Sequence, residues 1–367
     1  MRVVLSGGGT GGHVYPALAV AAALREELSA HDEPLELLYE GIRGRIDEDL
    51  LTRELIAFRT VRASALRVRA PWRFAKGMVD LALGTLQARR HLRRFQPHVV
   101  FASGGYASAP VALAARTLGR PLLVYLPDIR PGWSVRMMCR IATRVAATSD
   151  ASLPYLPRRK TTVTGYPVRQ VFAGVAKEEG RRRLGLDPSE KTLLVSGGSQ
   201  GAHSINRMVA ENLPGLLQLC QVIHLSGPAD LEWLHEVRQS LPEELHPRYH
   251  LHPYLREEMP WAMAAADLVL GRAGASTLGE LPLLGLPSLL VPGPFSDQAA
   301  NACYLTERGA ALTLTNGHVS GAMALLTELL QDEERLKAMA EAARALAQPD
   351  ASRRIARLLI EIASDKT

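Results

Sequence analysis

Short apolar runs bounded by turn residues recur along the chain and alternate with longer Ala/Leu-rich stretches. Val3–Leu5, Leu35–Tyr39, Val99–Ala102 and Leu122–Leu126 read as buried strands, each followed by a turn and a helical segment. The pattern then restarts with Thr192–Val195, Gln221–Leu225, Leu268–Leu270 and Ser288–Val291. Strands that alternate with helices in this way predict βαβ units and parallel sheets, an α/β class. Between the two series lie Thr164-Gly-Tyr-Pro-Val-Arg169 and the charged stretch Lys177–Arg183, which place a domain boundary near residues 160–170. The expected division is residues 1–164 and 165–350. Gln348-Pro349-Asp350 breaks a helix, and the segment after it carries Ile355, Leu358, Leu359 and Ile362 on one helical stripe. A tail helix over 351–364 is expected to pack back on the first domain.

Glycine turns punctuate both series. Ser6-Gly-Gly-Gly-Thr-Gly-Gly-His13 follows the first strand and holds the spacing G-x-G-x-x-G at Gly7, Gly9 and Gly12. Ser103-Gly-Gly-Tyr-Ala-Ser-Ala-Pro110, Ser196-Gly-Gly-Ser-Gln-Gly-Ala202 and Gly271-Arg-Ala-Gly-Ala-Ser-Thr277 follow later strands in the same manner. Bare backbone at the start of a helix faces an anion, and in doubly wound sheets such turns line the crevice at the carboxyl ends of the strands. The first turn alone fits a nicotinamide site, with Glu40 as its acidic residue. That reading leaves the later turns and the amide pair Gln298 and Asn301 without a purpose.

Length and composition narrow the class. A chain of 367 residues with 47% hydrophobic and 22% charged residues is a folded globular protein of about two domains. Cys139, Cys220 and Cys303 lie far apart, at neither zinc-ligand nor disulfide-framework spacing. The run Leu281–Phe295 is interrupted by proline and glycine, so no membrane span is expected, nor is a secretory leader. The net charge of +6 is concentrated: Arg59 to Arg94 holds ten basic residues against one acid, Asp80, with Trp72, Phe74, Met78, Val79, Leu81 and Leu83 among them. Trp72, Arg73, Phe74 and Lys76 are the residues expected to meet an anionic bilayer surface; the other reading is an amphipathic helix whose apolar side is core. Without a recognised motif, a nucleic-acid face is not expected.

Several side chains stand where chemistry would need them. His13 adjoins the first turn, with a side chain suited to proton transfer near neutrality, or else caps that turn. Arg169 and Arg272 are candidates for phosphate oxygens. Glu280 opens a helix, where it would either accept from ribose hydroxyls or complement the helix dipole. Gln298 and Asn301, three apart on a helix face, suit sugar hydroxyls. No Walker motif occurs, and Asp47-Glu-Asp49 reads as the polar side of a helix, so neither a metal nor a cofactor is expected.

The motifs Ser6–Ala17, Gly104-Gly-Tyr-Ala-Ser108, Gly165-Tyr-Pro-Val-Arg169, Gly197-Gly-Ser-Gln-Gly-Ala202, Arg272–Glu280 and Asp297-Gln-Ala-Ala-Asn301 resemble, in order, the MurG family of peptidoglycan N-acetylglucosaminyltransferases. The resemblance spans nearly the whole chain. It implies a GT-B fold of two Rossmann-like domains facing across a cleft. It also implies inverting transfer of N-acetylglucosamine from its UDP donor to the 4-hydroxyl of undecaprenyl-diphospho-muramyl-pentapeptide, at the cytoplasmic face of the cell membrane as a peripheral protein. Related readings keep the fold and change the chemistry: another lipid acceptor such as diacylglycerol, or 2-epimerisation of the UDP sugar.

By the same resemblance, Thr10, Gly11 and Gly12 lie by the acceptor diphosphate and the transferred sugar, with His13, Gly104, Gly105 and Tyr106 on the acceptor side. Arg169, Ser199, Gln200, Arg272 and the turn Ala275, Ser276, Thr277 hold the donor diphosphate. Glu280 binds the ribose, Gln298 and Asn301 the sugar, and backbone near Leu255 the uracil. The chain departs from the family where His-Glu-Gln-Asn is usual: it reads Tyr125-Leu-Pro-Asp128, and Tyr166 replaces an Asn. These departures are expected on the acceptor side and near the transferred sugar, with Asp128, in the place of the family's sugar-binding Asn, also a donor-side residue. Asp128 is paired with His13 as the catalytic couple.

Overall fold

The computed structural model describes residues 1–8, 11–44, 48–64, 71–293, 298–314 and 321–365. Gly9, Thr10, Asp47, Phe295 and Asp297, named above, lie outside the described residues. The chain divides into two compact units, Met1–Arg169 with Gln348–Thr367, and Gln170–Ala347.

The first unit holds a seven-stranded sheet. Its strands are β1 (Arg2–Ser6), β2 (Glu36–Gly41), β3 (Ala57–Thr60), β4 (Val99–Ala102), β5 (Leu122–Leu126), β6 (Arg144–Ala147) and β7 (Thr161–Val163). They are ordered β3-β2-β1-β4-β5-β6-β7 and pair in parallel throughout. Val3–Leu5, Val99–Ala102 and Leu122–Val124 are at most 1% exposed, as expected of strands covered on both faces. One face meets the helices Pro71–Phe95, Ser108–Thr117 and Trp133–Ile141, through a core that includes Val100, Leu92, Val111 and Met138. The last helix, Ala351–Ser364, packs on Gly11–Ser29, burying Ile355, Leu359 and Ile362 and pairing Arg357 with Glu27 at 3.0 Å.

This unit runs past residue 164 for a packing reason. A Cβ on Gly165 (φ +93°) would lie 2.5 Å from Gln348 Cβ and 3.0 Å from Ala351 Cβ. Tyr166 sets its ring edge-on to Tyr125, centroids 6.4 Å apart, and the Arg169 guanidinium lies 4.2 Å above the Tyr15 ring. Residues 165–169 therefore belong with the sheet of the first unit.

The second unit repeats the plan with six strands: β8 (Thr192–Ser196), β9 (Gln221–Leu225), β10 (Tyr249–His252), β11 (Leu268–Gly271), β12 (Ser288–Leu290) and β13 (Ala311–Thr313). Their order, β10-β9-β8-β11-β12-β13, is again the doubly wound one in which the chain reverses direction beside its first strand. The switch points fall between β1 and β4 and between β8 and β11.

Helix Pro71–Phe95 has one face in the core and another exposed. Ala88 and Leu92 are buried in the core, while Trp72 is 67%, Val79 57% and Leu86 64% exposed. With Lys76, Leu83 and Arg90, these three form one stripe at helical spacing, apolar but for Lys76 until it ends at Arg90. Arg73 lies over the Trp72 ring at 4.7 Å, and Phe74 and Lys76 are exposed beside it. Among the described residues, no helix is long and apolar enough to cross a membrane.

Candidate active site

In the first unit, the glycine turns after β1 and β4 meet at the switch point and enclose His13. A Cβ on Gly8 would come within 2.9 Å of His13 Cδ2, and one on Gly104 within 3.0 Å of Nδ1. On Gly105 (φ +78°) it would lie 2.6 Å from Gly8 Cα. Glycine is required here for close approach, and at Gly104 and Gly105 for positive φ as well. Ser103 ties the two turns together: its hydroxyl donates to His13 O at 2.6 Å, and its carbonyl lies 3.0 Å from His13 Nδ1. A carbonyl only accepts, so Nδ1 carries the proton of the neutral ring and Nε2 keeps the lone pair. Burial pushes the His13 pKa below the usual imidazole value, against the opposing pull of the Asp128 carboxylate and the Ser103 carbonyl. The ring is thus a neutral base with an anion close by to receive its positive charge. Gly11 and Gly12 begin the helix beneath it, and Tyr106 is half-buried just before helix Ser108–Thr117.

The residues that depart from the family pattern sort differently from expectation. Tyr125 and Tyr166 are both buried and contact each other; Phe101 stacks on Tyr125 at 6.3 Å. Thr148 donates to the Pro127 carbonyl at 2.8 Å, so the Tyr125 hydroxyl, 2.7 Å away, donates to Thr148. Leu126 is in the hydrophobic core. These three changes are thus core packing, with the two tyrosines filling one space together, and not acceptor contacts. Asp128 alone of the altered segment interacts with His13.

In the second unit, the turn after β8 presents Gly198, Ser199 and Gln200 to solvent, with Gly198 at φ +86° and Gly201 at φ +75°. The turn after β11 continues through Ala275, Ser276 and Thr277, where Thr277 donates to Gly274 O at 2.6 Å, into a short helix that starts at Glu280. Arg272 lends Nη1 to Val291 O at 3.0 Å and Pro292 O at 3.1 Å, and Nη2 to Ser204 Oγ at 3.1 Å, and burial lowers its pKa. Its guanidinium therefore braces the loop after β12 against the start of helix His203–Glu211. Asn301 is buried and donates to Ala273 O at 3.1 Å. Gln298 accepts from the Gly293 N–H at 2.7 Å, which identifies the facing atom as Oε1 and leaves Nε2 as a donor group. The Leu255 side chain is buried. Sequence reasoning missed Tyr15 as the partner of Arg169 and Ser204 as the partner of Arg272. Each lies just inside the helix that follows a glycine turn, which is the one local signal they carry.

Residues 3–147 match the glycosyltransferase family 28 N-terminal domain, and residues 192–355 the glycosyltransferase family 28 C-terminal domain. The crystal structure of Acinetobacter baumannii MurG superposes with a TM-score of 0.75 at 26% identity, covering 98% of this chain and 99% of that one. In Roseiflexus sp. (strain RS-1), the UDP-N-acetylglucosamine--N-acetylmuramyl-(pentapeptide) pyrophosphoryl-undecaprenol N-acetylglucosamine transferase is 39% identical over 98% of this chain and 94% of its own length. The chain belongs to the MurG family. It has the GT-B fold of that family, with two Rossmann-like parallel-sheet domains. The fold alone is shared more widely: a UDP-GlcNAc 2-epimerase from Neisseria meningitidis superposes with a TM-score of 0.70 at 16% identity over 98% of this chain and all of that one. Sequence kinship, not architecture, therefore separates a MurG-family transferase from an epimerase.

Proposed function

We propose that this chain transfers N-acetylglucosamine from UDP-N-acetylglucosamine to the 4-hydroxyl of undecaprenyl-diphospho-muramyl-pentapeptide, lipid I to lipid II, with inversion at the anomeric carbon. The observation that carries this is the 39% identity, over nearly the full length, to a transferase named for both substrates.

The chemistry follows from the residues. The acceptor oxygen attacks the anomeric carbon and gives its proton to His13 Nε2; the bond from that carbon to the β-phosphate oxygen breaks, and its electrons leave with UDP. Asp128 offsets the charge of the resulting imidazolium. Gly11, Gly12, Gly104, Gly105 and Tyr106 offer backbone and ring to the acceptor diphosphate and sugar. On the donor side, the turn with Ser199 and Gln200 meets the charge developing on UDP, a task for preset dipoles that needs no metal; by the family resemblance Arg169 is a further contact of the donor phosphates. Arg272 frames that site, and Ala275, Ser276 and Thr277 line it. Glu280 accepts from the ribose, Gln298 and Asn301 orient the sugar, and backbone at Leu255 meets the uracil. The stripe from Trp72 to Arg90 lies on the anionic surface of the cytoplasmic face of the membrane, where its lipid-linked substrate resides.

The test is an assay of the purified chain with UDP-N-acetylglucosamine and a short-chain lipid I analogue, with diacylglycerol as the competing acceptor. A β-linked product on the muramyl sugar is expected. Product on diacylglycerol alone, or release of the 2-epimer of the UDP sugar without an acceptor, refutes the proposal.

A further inference from the structure

Beneath the donor turn of the second unit runs a buried polar chain that the roles above leave unused. His224, within β9, is fully buried, with Nε2 3.0 Å from Asn206 Oδ1 and Nδ1 2.9 Å from the Tyr249 hydroxyl. Asn206, buried on helix His203–Glu211, gives its amide nitrogen to Ser226 O at 2.7 Å and to Asp230 Oδ2 at 2.8 Å. The other Asp230 oxygen lies 2.9 Å from His203 Nδ1. Burial works to raise the Asp230 pKa, but hydrogen bonds from His203 and Asn206 hold it below the usual range, so it remains a carboxylate.

These contacts determine every donor. Ser226 O and the Asp230 carboxylate only accept, so the Asn206 atom facing them is nitrogen, and its oxygen faces His224. His224 Nε2 must therefore donate, and Nδ1 of the neutral ring accepts from the Tyr249 hydroxyl. Burial lowers the His224 pKa to about 4, which keeps the ring neutral. A buried network with all its members satisfied holds a single arrangement.

What it holds is the Ser226–Gly227 corner after β9. A Cβ on Gly201 would overlap the Ser226 carbonyl, and one on Gly227 would overlap the Gln200 carbonyl. The two turns thus touch backbone to backbone, and a shift of Ser226 displaces Gln200 and Gly201 with it. We propose that His224 is a positioning residue for sugar-nucleotide transfer: through Asn206 it fixes the Ser226 carbonyl on which the Gln200–Gly201 bend is seated. The proposal rests on the reading of Gly197–Ala202 as the turn that receives the donor diphosphate.

His224→Leu keeps the volume and removes both nitrogens; His224→Gln restores an amide nitrogen where Nε2 stood. Calorimetric UDP binding is measured on each variant, together with KM for the sugar nucleotide, KM for the acceptor and the thermal midpoint. A misplaced binding turn costs on the order of tenfold or more, so His224→Leu should weaken UDP binding and raise the donor KM by about that factor. The acceptor KM stays unchanged, and His224→Gln recovers most of the loss. UDP binding by His224→Leu at the wild-type level overturns the proposal. If the wild-type chain itself binds no UDP, the donor-turn reading falls, and the positioning role falls with it. Should His224→Leu fail to fold, Tyr249→Phe decides, since it removes only the hydroxyl that donates to Nδ1. A raised donor KM with an unmoved acceptor KM then supports the role, and an unmoved donor KM overturns it.

Discussion

Replacing Gly105 by alanine separates the two demands that the His13 cradle makes on its glycines. At φ +78° an alanine pays the left-handed penalty of about 1–2 kcal/mol. Its Cβ would also lie 2.6 Å from Gly8 Cα and 3.0 Å from Gly8 N, backbone atoms that can yield only by moving the first turn. Overpacking of this kind adds roughly 1–3 kcal/mol, for a total near 2–5 kcal/mol. Gly119 is the matched control: it sits at φ +65° with nothing within 4 Å of a built Cβ, so Gly119→Ala carries the conformational penalty alone. The same Cβ on Gly105 would reach 3.3 Å from His13 Cδ2, so the movement is passed to the ring. A displacement of about 1 Å at the base costs on the order of a hundredfold in kcat, while Gly119→Ala keeps the wild-type rate. Chemical denaturation and steady-state kinetics on the two variants read both effects. Equal losses of stability, with Gly105→Ala at full kcat, would refute the argument that the turns meet at His13.

Asp128→Asn removes the charge that raises the His13 pKa, so the acid limb of the kcat profile moves to lower pH and kcat at neutrality falls; an unmoved limb in a pH-rate measurement removes Asp128 from the couple. His224 stays neutral in the folded chain down to about pH 4, whereas an unfolded histidine protonates near 6.5. In that window the unfolded state binds more protons, so stability falls as pH drops from about 6.5 to 4, by roughly 3 kcal/mol for this one group. His224→Gln should flatten that part of a denaturation-midpoint curve against pH. Neutralising Arg73 and Arg90 removes about 1 kcal/mol of surface attraction apiece, so partitioning onto anionic vesicles should weaken roughly thirtyfold in sedimentation, with no change on neutral vesicles. Tyr125→Phe deletes the hydrogen bond to Thr148 and should cost about 1 kcal/mol of stability while the acceptor KM holds.

The strands legible in the sequence are the ones buried on both faces. β1, β4, β5 and β8 announce themselves as unbroken apolar runs, and β9 as an apolar run interrupted only by His224. Ala57–Thr60, Thr161–Val163, Tyr249–His252 and Ala311–Thr313 close the edges of their sheets and were not legible. An edge strand is short and partly wet, so Ala-Phe-Arg-Thr and Thr-Thr-Val carry no run for periodicity to find. β6 lies inside its sheet, but Arg144-Val-Ala-Ala147 is too short and too poor in large apolar residues to stand out from the helix before it. The glycine turns were legible because positive φ and backbone contact exclude other residues. Their mutual packing was not, since Gly8 and Gly105 lie far apart in the chain. The same limit governs Tyr125 and Tyr166: each looks like a lost polar site residue by itself, and only their contact reveals a single packing solution made of two changes.

The two units share one doubly wound plan, and their histidines sit in opposite surroundings. His13 has one nitrogen committed to the Ser103 carbonyl and the other left with a lone pair, beside a carboxylate that favours its protonation. His224 has both nitrogens committed, to Asn206 and Tyr249, and burial suppresses its charge. A proton acceptor must be able to change state during turnover, so its surroundings leave it one free valence and a counter-charge. A phosphate-binding turn must not change state, because preset dipoles stabilise a leaving group only if they need not reorient when the charge appears. In the proposed reaction the proton therefore moves to His13, and diphosphate charge settles on the turn above His224.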